Sequence, residues 1–406
     1  MSQPGTIGDA QKPSPARSRR RIIVIAAVAL LVLVCVGGAY SQRLLLRSLL
    51  SGDINVIGGN AGQARLDLPP GFSASVYASG LHTPRFMAFG PDGTLFVADE
   101  GSGTVRALPD PRHTGKATGN VVVADNLDNP SSLAFDGNTL YIGETTKIRR
   151  LTLGPDLRAT SNRVIVGDLP ADGNHFTRTV LLGPDKKLYV AIGSSCNVCE
   201  ESDPHRASVW VYQLDGSGSG GRRHARGLRN AVGLAVNPWN GQIWATNNGR
   251  DLMGDDTPPE TVYALRDGAD YGWPRCHAGD IVDPDFGKPG DCDGIVKPLV
   301  EMQAHSAPLG LAFYDAAQFP SAYRGLYVAF HGSWNRSTPT GYKVVFIPLD
   351  GRGNVAGPAR DFATGWLASG NRAIGRPVGV TAGPDGALYV SDDKAGLIYR
   401  ITYSGG

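Results

Sequence analysis

The stretch PRFMAFGPDGTLFVAD, residues 84–99, alternates apolar with small or polar positions, breaks at Gly-Pro-Asp-Gly, and then resumes the alternation. This pattern predicts two antiparallel strands joined by a hairpin, because Asp-Gly tolerates the positive φ that tight hairpin turns demand. Nearly the same phrase returns at the other end of the chain as PVGVTAGPDGALYVSDD from Pro377. Four further copies lie between: PSSLAFDGNTLYIGE from Pro130, TRTVLLGPDKKLYVAIG from Thr177, AVGLAVNPWNGQIWATNNG from Ala231, and PLGLAFYDAAQFPSAYRGLYVAFHG from Pro308. A third apolar stretch usually follows, for instance VYQL at 211–214 or IYRIT at 398–402, and a fourth strand would complete each unit. Four-stranded sheets of this kind cannot bury both faces alone, but packed radially they bury one another and leave only short edges. The fold expected is therefore all-β, a six-bladed β-propeller over about residues 65–406. The spacing between copies widens at the fourth and fifth, which places insertions at 250–305 and 333–375.

The first 64 residues follow another pattern. Residues 1–21 are rich in Ser, Pro, Gly and Ala, end on Arg19, Arg20 and Arg21, and read as a disordered tail facing the cytoplasm. The 19 uncharged residues from Ile22 to Tyr40 suffice to cross a bilayer as a helix. With arginines on the amino side, the expected arrangement is an N-terminal transmembrane helix, a linker at 41–64, and the propeller outside the cytoplasm. A cleaved signal peptide is the competing reading, against which stand the long apolar run and the lack of a clean A-x-A site. Both readings export the bulk of the chain.

Composition refines this picture in two ways. Fifty-four glycines and 28 prolines in 406 residues suit many short strands and turns. The formal net charge of +2, without a basic stripe interleaved with aromatics, sets nucleic-acid binding aside. Beyond Cys35 there are four cysteines, an even number that suits two disulfides in an exported protein. Cys276 and Cys292 would staple a Gly- and Asp-rich loop. Cys196-Asn-Val-Cys199 reads as a loop clip, with a redox pair or half a zinc site as the alternatives.

In a propeller the innermost strand of each blade starts at the mouth of the central channel, and the second strand ends there. Residues at those two edges therefore converge from all six blades. Before the first strands stand His82 and Thr83, Asp128 and Asn129, His175 and Phe176, Arg229 and Asn230, Ser306 and Ala307, and Gly375 and Arg376. Arg85 and Arg178 lie just inside their own strands. After the second strands come Asp99, Glu100, Glu144, NNGRD at 247–251, HGSWNR at 331–336, and Asp392, Asp393 and Lys394. Together they predict a polar, partly cationic site beside carboxylates. No G-x-S-x-G elbow and no dinucleotide-binding glycine fingerprint occurs. Arginines in the ring favour an anionic ligand with planar carboxylates or carbonyls. A histidine among them can serve as general base. The oxygens of NGRDLMGDD at 248–256 suit Ca²⁺.

The segments HFTRTVLLGPDKKLYVAIG, RGLRNAVGLAVNP, NNGRDLMGDDTPPETVYALRDGADYGWP and RPVGVTAGPDGALYV resemble the glucose/sorbosone dehydrogenase family, pyrroloquinoline-quinone (PQQ)-dependent sugar dehydrogenases on a six-bladed propeller. HGSWNR and the Cys-x-x-Cys loop resemble the sorbosone branch more than the soluble glucose dehydrogenases. The resemblance covers about residues 65–403 and implies PQQ and Ca²⁺ as cofactors. It implies that His175 takes the proton of the sugar hydroxyl while hydride passes to the C5 carbonyl of the cofactor. Arg229 and Asn230 would hold the cofactor, with Arg229 stabilising developing charge. Arg85, Arg178, His331 and Arg376 would complete the cofactor site. Asn335 or Arg336 would replace a lysine of the glucose branch, and Val378 stands where that branch has a second arginine. Gly249, Arg250 and Asp251 would provide the metal site, with the backbone oxygens of the first two as ligands.

Three functional readings follow. The leading one is a membrane-anchored, outward-facing quinoprotein dehydrogenase that oxidises a sugar or sugar aldehyde and passes electrons to a separate membrane quinone or cytochrome. The second is a Ca²⁺-dependent hydrolase or lactonase, and the third a non-catalytic ligand-binding propeller. Tyr271 and Trp273 of YGWP are candidates to stack a sugar or simply to pack their loop.

Overall fold

The computed structural model describes residues 65–218 and 220–405. The tail, the apolar run at 22–40 and the linker to residue 64 lie outside the described residues. Among the described residues no helix is long and apolar enough to cross a membrane.

Six antiparallel sheets form the blades. Blade 1 comprises Pro84–Phe89, Leu95–Asp99, Thr104–Leu108 and Val121–Ala124; blade 2 comprises Ser132–Asp136, Thr139–Gly143, Ile148–Leu153 and Ala159–Val166. Blade 3 comprises Arg178–Leu182, Lys187–Ile192, Ser208–Gln213 and Arg222–Arg226, with Ala269–Asp270 added in parallel at its outer edge. Blade 4 comprises Ala231–Val236, Ile243–Asn247, Glu260–Ala264 and Val300–Met302; blade 5 comprises Pro308–Tyr314, Gly325–Phe330, Lys343–Pro348 and Arg360–Ala363. Blade 6 runs Pro377–Ala382, Leu388–Asp392 and Leu397–Tyr403, and its outermost strand is the first of the described chain, Phe72–Ala78. The six-bladed expectation holds, with one addition. The sequence pattern offers no fourth strand after residue 403, and the chain closes the ring by pairing Phe72 with Tyr403 and Ala74 with Ile401.

The repeat phrase explains the packing. Its L-Y-V motif places an aromatic at one position in every second strand: Phe96, Tyr141, Tyr189, Trp244, Tyr327 and Tyr389. Each belongs to a different apolar cluster, and each cluster joins two successive blades: Tyr141 lies with Leu188 and Val190, Trp244 with Leu326 and Val328, and Tyr389 with Leu95 and Val97. Burial of such rings is the main source of cohesion between sheets that share no backbone ladder.

Nearer the axis the first strands meet directly, and each touches the next around a closed circle. The third position of the repeat phrase is a small or hydroxyl residue in blades 2 to 6: Ser132, Thr179, Gly233, Gly310 and Gly379. A Cβ on Gly233 would lie 2.3 Å from the Leu309 carbonyl oxygen, and one on Gly310 2.6 Å from that of Val378. Ser132 instead donates to the Arg178 carbonyl at 2.7 Å, and Thr179 donates to the Val232 carbonyl. Phe86, Val232, Leu309 and Val378 form an apolar cluster on the axis. Val378, the position expected to stand for an arginine, is therefore a fully buried packing residue.

The two wide spacings are only partly insertions. Residues 250–305 contain the two outer strands of blade 4, and 333–375 those of blade 5. The true additions are shorter. Residues 269–292 carry the hairpin Cys276–His277/Ile281–Val282 and the Cys276–Cys292 disulfide, while Leu367–Ala368 pairs with Arg372–Ala373.

Ring closure depends on the side chains of the first strand as well as its ladder. The Phe72 ring packs edge-on against Phe319 and Tyr323, with centroids 4.8 Å away, and against Phe362 at 5.1 Å and Tyr403 at 4.9 Å. Phe72→Ala should cost about 3 kcal/mol of unfolding free energy. Denaturant melts of the two proteins test this, and a loss below about 1 kcal/mol would show that the first strand is held by its ladder alone.

Candidate active site

The edges of the blades meet as two clusters joined by hydrogen bonds. The first lies between blades 3 and 4. His175 precedes the first strand of blade 3 and directs Nδ1 at the Ser194 carbonyl oxygen (2.8 Å) and Oγ (3.0 Å). A carbonyl only accepts, so Nδ1 carries the proton and Nε2 keeps its lone pair. Gly193 must be glycine here, because a Cβ would lie 2.6 Å from that of His175 and 2.4 Å from Asn230 Oδ1. Arg229 is buried and fully engaged: Nε donates to the Asn197 carbonyl (2.9 Å), and Nη2 to Asn197 Oδ1 (3.0 Å) and Asp251 Oδ2 (2.7 Å). Its Nη1 donates to the Gly249 carbonyl at 2.6 Å. Asn335 Nδ2 reaches Asp251 Oδ1 at 3.1 Å, and His305 Nδ1 lies 3.3 Å from that same amide.

The second cluster joins blades 1, 5 and 6. Arg85 donates to Asp393 Oδ2 (2.8 Å), and its Nε lies 3.2 Å from Glu100. His331 Nε2 meets the same Asp393 oxygen at 2.9 Å. Arg376 donates to the carbonyls of His331 and Gly332, both at 3.1 Å, and its guanidinium lies over the Tyr342 ring. The buried Glu260 links the two clusters. Its carboxylate accepts from the Gly249 and Ala307 N–H groups at 2.8 and 3.2 Å, and Ala307 accepts from the His331 N–H at 3.0 Å.

The electrostatics follow from burial among arginines. Burial, and then the nearby Arg229, pull His175 down to about 3, against the Ser194 carbonyl, so the ring is a neutral imidazole at ordinary pH. Burial and Arg376 lower His331 to about 4 despite Asp393. Burial opposes the charge on Asp393, yet His331 and Arg85 hold it at about 2. Burial raises Glu260 to about 7 and outweighs its two N–H donors.

Several expected site residues have other partners. Arg178 is completely buried, and its guanidinium donates to the carbonyls of His175 (3.1 Å), Thr177 (2.8 Å) and Pro170, so it braces the strand entry from behind. Arg336 donates to the Asp255 carbonyl and to Asp256 (3.1 Å), where it pins the 253–256 loop. The Arg250 side chain turns away to Asp283 and Asp285, and His277 Nε2 meets Asp283 at 2.7 Å. Asp99, Glu144 and Asp392 are fully buried. They accept from backbone N–H groups at the entry to their own blades: Asp99 from His82 and Thr83, Glu144 from Asp128, and Asp392 from Arg376. They are clasps, not walls of a ligand site. Tyr271 and Trp273 are buried and hydrogen-bonded, to the Ala264 and Asn197 carbonyls respectively, so YGWP packs its loop. Cys196 and Cys199 form a disulfide, as the loop-clip reading expects.

The residues that sequence reasoning missed are Ser194, Asn197, Arg206 and Glu260. Ser194 and Asn197 follow the second strand of blade 3, the edge where site residues were expected, but the adjacent cysteines drew the reading to themselves. Arg206 donates to the His175 carbonyl at 2.9 Å from a loop beyond that edge, and Glu260 starts a third strand; no pattern marks either. Three large apolar side chains are exposed beside the site residues: Phe176 next to His175, Leu252 next to Asp251, and Trp334 next to Asn335.

A family model described as TrAA12-like matches residues 66–279 and 287–404. Over 408 aligned residues the chain is 27% identical to the pyrroloquinoline quinone-dependent pyranose dehydrogenase of Coprinopsis cinerea, with 83% of this chain but only 54% of that protein covered. It is 26% identical over 397 residues to the pyrroloquinoline quinone-dependent sugar dehydrogenase of Hypocrea jecorina, with 82% and 88% covered. Among solved structures it is similar to the holo form of the pyranose dehydrogenase PQQ domain of Coprinopsis cinerea, with TM-score 0.74, 25% identity, and 84% and 98% of the two chains covered. It is also similar to the calcium structure of the Trichoderma reesei family AA12 enzyme, with TM-score 0.73, 25% identity, and 85% and 99% covered.

The Arg250–Asp283–His277 clasp has a consequence for acid stability. Burial opposes the charge on Asp283, but Arg250, His277 and two N–H donors lower it from 3.8 to about 2. A depressed carboxylate stabilises the fold above its unfolded value and loses that contribution as pH falls through its folded value. Asp283→Asn should therefore be less stable than wild type at neutral pH, and the gap should shrink between about pH 4 and pH 2. Denaturant melts at stepped pH test this, and a gap independent of pH would remove Asp283 as the titrating group.

Proposed function

The chain belongs to the TrAA12-like family, and on that footing we propose that it is a quinoprotein dehydrogenase that oxidises a sugar or sugar aldehyde, the sorbosone type included, with PQQ and Ca²⁺ as cofactors. The observation that carries this reading is the pairing of a neutral imidazole, its Nδ1 tied to Ser194, with the Arg229 guanidinium on the adjoining blade edge. A base and a cation side by side are what removal of a hydride and a proton from one alcohol requires.

The donor set fits a flat tricarboxylate. Arg85, Arg229 and Arg376 bring guanidinium groups to one mouth, and the Asn230 amide makes no hydrogen bond to the described residues. The Gly249 carbonyl and the Asp251 carboxylate are hard oxygen donors suited to Ca²⁺, and such an ion would share them with Arg229. Asn335 would orient Asp251 from the other side. Arg178, Arg336 and the Arg250 side chain support this site from outside it. Among the described residues the one cluster of three His, Cys, Asp or Glu at metal-binding distance is Cys196, Cys199 and Glu201, whose two sulfurs are in a disulfide.

When bound, the quinone supplies the two-electron acceptor for the hydride. The chain's own residues do the rest. His175 Nε2 receives the proton of the hydroxyl as its carbon becomes a carbonyl. Negative charge brought into the mouth offsets the guanidinium field and raises the basicity of His175 toward the range a base needs. Arg229 holds positive charge where negative charge grows. Phe176, Leu252 and Trp334 offer apolar surface to the carbon face of a sugar ring. Electrons then leave to a separate acceptor, a membrane quinone or cytochrome, outside the cytoplasm, which suits the apolar run at 22–40.

Two substitutions test this reading. His175→Ala should lower kcat on the order of 10²- to 10⁴-fold with quinone affinity within a few-fold of wild type. Turnover at the wild-type rate would remove His175 as the base. Arg229→Ala should weaken reconstitution by about 10- to 100-fold in an absorbance titration with the quinone and Ca²⁺. Wild-type affinity would remove Arg229 from the cofactor site.

A further inference from the structure

The Cys196-Asn-Val-Cys199 loop is the one chemical motif that the proposed function leaves unused. Nothing in its chemistry touches the reacting atoms, yet its backbone and side chains hold both of the groups that do. On its amino side, the Ser194 carbonyl and Oγ receive His175 Nδ1, and Ser194 Oγ donates to the Cys196 carbonyl at 2.6 Å. Inside the disulfide ring, Asn197 accepts Arg229 twice, at its carbonyl and at Oδ1. The same Oδ1 accepts the Asp251 N–H at 2.8 Å, Nδ2 donates to the Asp251 carbonyl at 3.0 Å, and the carbonyl takes Trp273 Nε1 at 3.2 Å. On its carboxyl side, Glu201 folds back to the Ser195 N–H and Oγ, both at 2.7 Å. Ser194 N–H also donates to the Arg229 carbonyl at 2.7 Å.

We propose that the Cys196–Cys199 disulfide is a positioning element for catalysis, closing one short loop so that Ser194 fixes the tautomer of His175 while Asn197 fixes the guanidinium of Arg229. The inference rests on the dehydrogenase reading for its effect on turnover, but not for its effect on the histidine. Without the cross-link, residues 194–199 regain backbone freedom that must be frozen out again in every productive geometry. His175 then loses the acceptor that selects the Nδ1–H form, and Arg229 loses two of its partners. An error of about 1 Å in either group is enough for a 10²-fold loss of rate. The charged groups facing His175 are Arg229, Arg206 and Arg178, all cationic, so none of these can accept in place of Ser194.

The two disulfides differ in access. Cys196 and Cys199 are both half-buried, whereas in the second disulfide Cys276 is completely buried and only Cys292 is half-buried. A dithiol has two half-buried sulfurs to attack in the first disulfide and one in the second, so it should reduce the first faster: it gives up two electrons and two protons, becomes a cyclic disulfide, and leaves the Cys196 and Cys199 thiols. Thiol counting and mass mapping identify which pair has opened.

The test uses the protein without cofactor as well as loaded. Histidine-ring ¹⁵N spectra of the cofactor-free protein, assigned through His175→Ala, should show one Nδ1–H tautomer in the oxidised form. After selective reduction, or in Cys196→Ser/Cys199→Ser, the His175 signals should move to a tautomer average. In the loaded protein kcat should fall on the order of 10- to 100-fold with a smaller change in KM, and return on reoxidation. Unchanged His175 signals after reduction overturn the proposal, whatever the activity. Changed signals in a protein that never turns over a sugar keep the positioning role and reject the dehydrogenase reading. If the double variant does not fold, reversible reduction of the folded wild type decides alone.

Discussion

Everything at the mouth depends on a ring of six sheets closing without a free edge. The first strands touch in a circle, so a shift of any blade moves its neighbours, and the circle is held by the pairing of Phe72–Ala78 with Leu397–Tyr403. The aromatic of each L-Y-V motif then locks blade to blade. This geometry brings residues as distant in sequence as Arg85 and Asp393 within hydrogen-bond distance. A site assembled from blades 1, 3, 4, 5 and 6 exists only while that circle is shut.

On that rigid frame the chemistry comes from unequal environments for similar groups. In blades 1, 2 and 6 the blade entry carries a fully buried carboxylate that accepts from backbone N–H groups. Blade 3 has no such carboxylate. There the Ser194 carbonyl and hydroxyl face the His175 imidazole, and a clasp on backbone N–H groups is replaced by one on a side chain. Blade 4 substitutes Asn247, whose Oδ1 accepts from the Asn230 N–H at 3.1 Å, and its loop adds Asp251 for Arg229. Burial, and then the arginines, keep His175 neutral, and an anionic ligand would relieve the second of these. Specialisation of a repeat thus consists of changing the residues that cap its strands.

Much of this was legible in the chain. Six hairpin phrases, four of them with Asp-Gly or Asn-Gly turns, sufficed for the propeller, and the rule that strand starts and ends meet at one mouth located His175, Arg229, Asn230, His331 and Arg376. Two kinds of feature were not legible. The closing strand FSASVYA has ordinary alternation, and nothing local says that its partner lies more than 300 residues away. Direction within the mouth was equally hidden. Asp99 and Asp393 look alike in sequence, yet one is enclosed beneath backbone N–H groups and the other pairs with Arg85 and His331. Arg178 and Arg85 hold the same repeat position, but only the blade 3 loop supplies three carbonyls to draw the guanidinium away.

In the proposed function this mouth takes a hydride and a proton from one carbon–oxygen centre of a sugar. The most direct measurement is anaerobic single turnover of protein loaded with the quinone and Ca²⁺, mixed with an aldose carrying deuterium at C1. One equivalent of quinone per chain should bleach, more slowly with the deuterated sugar than with the ordinary one. A loaded protein whose quinone stays oxidised across a panel of aldoses and sugar aldehydes would contradict it.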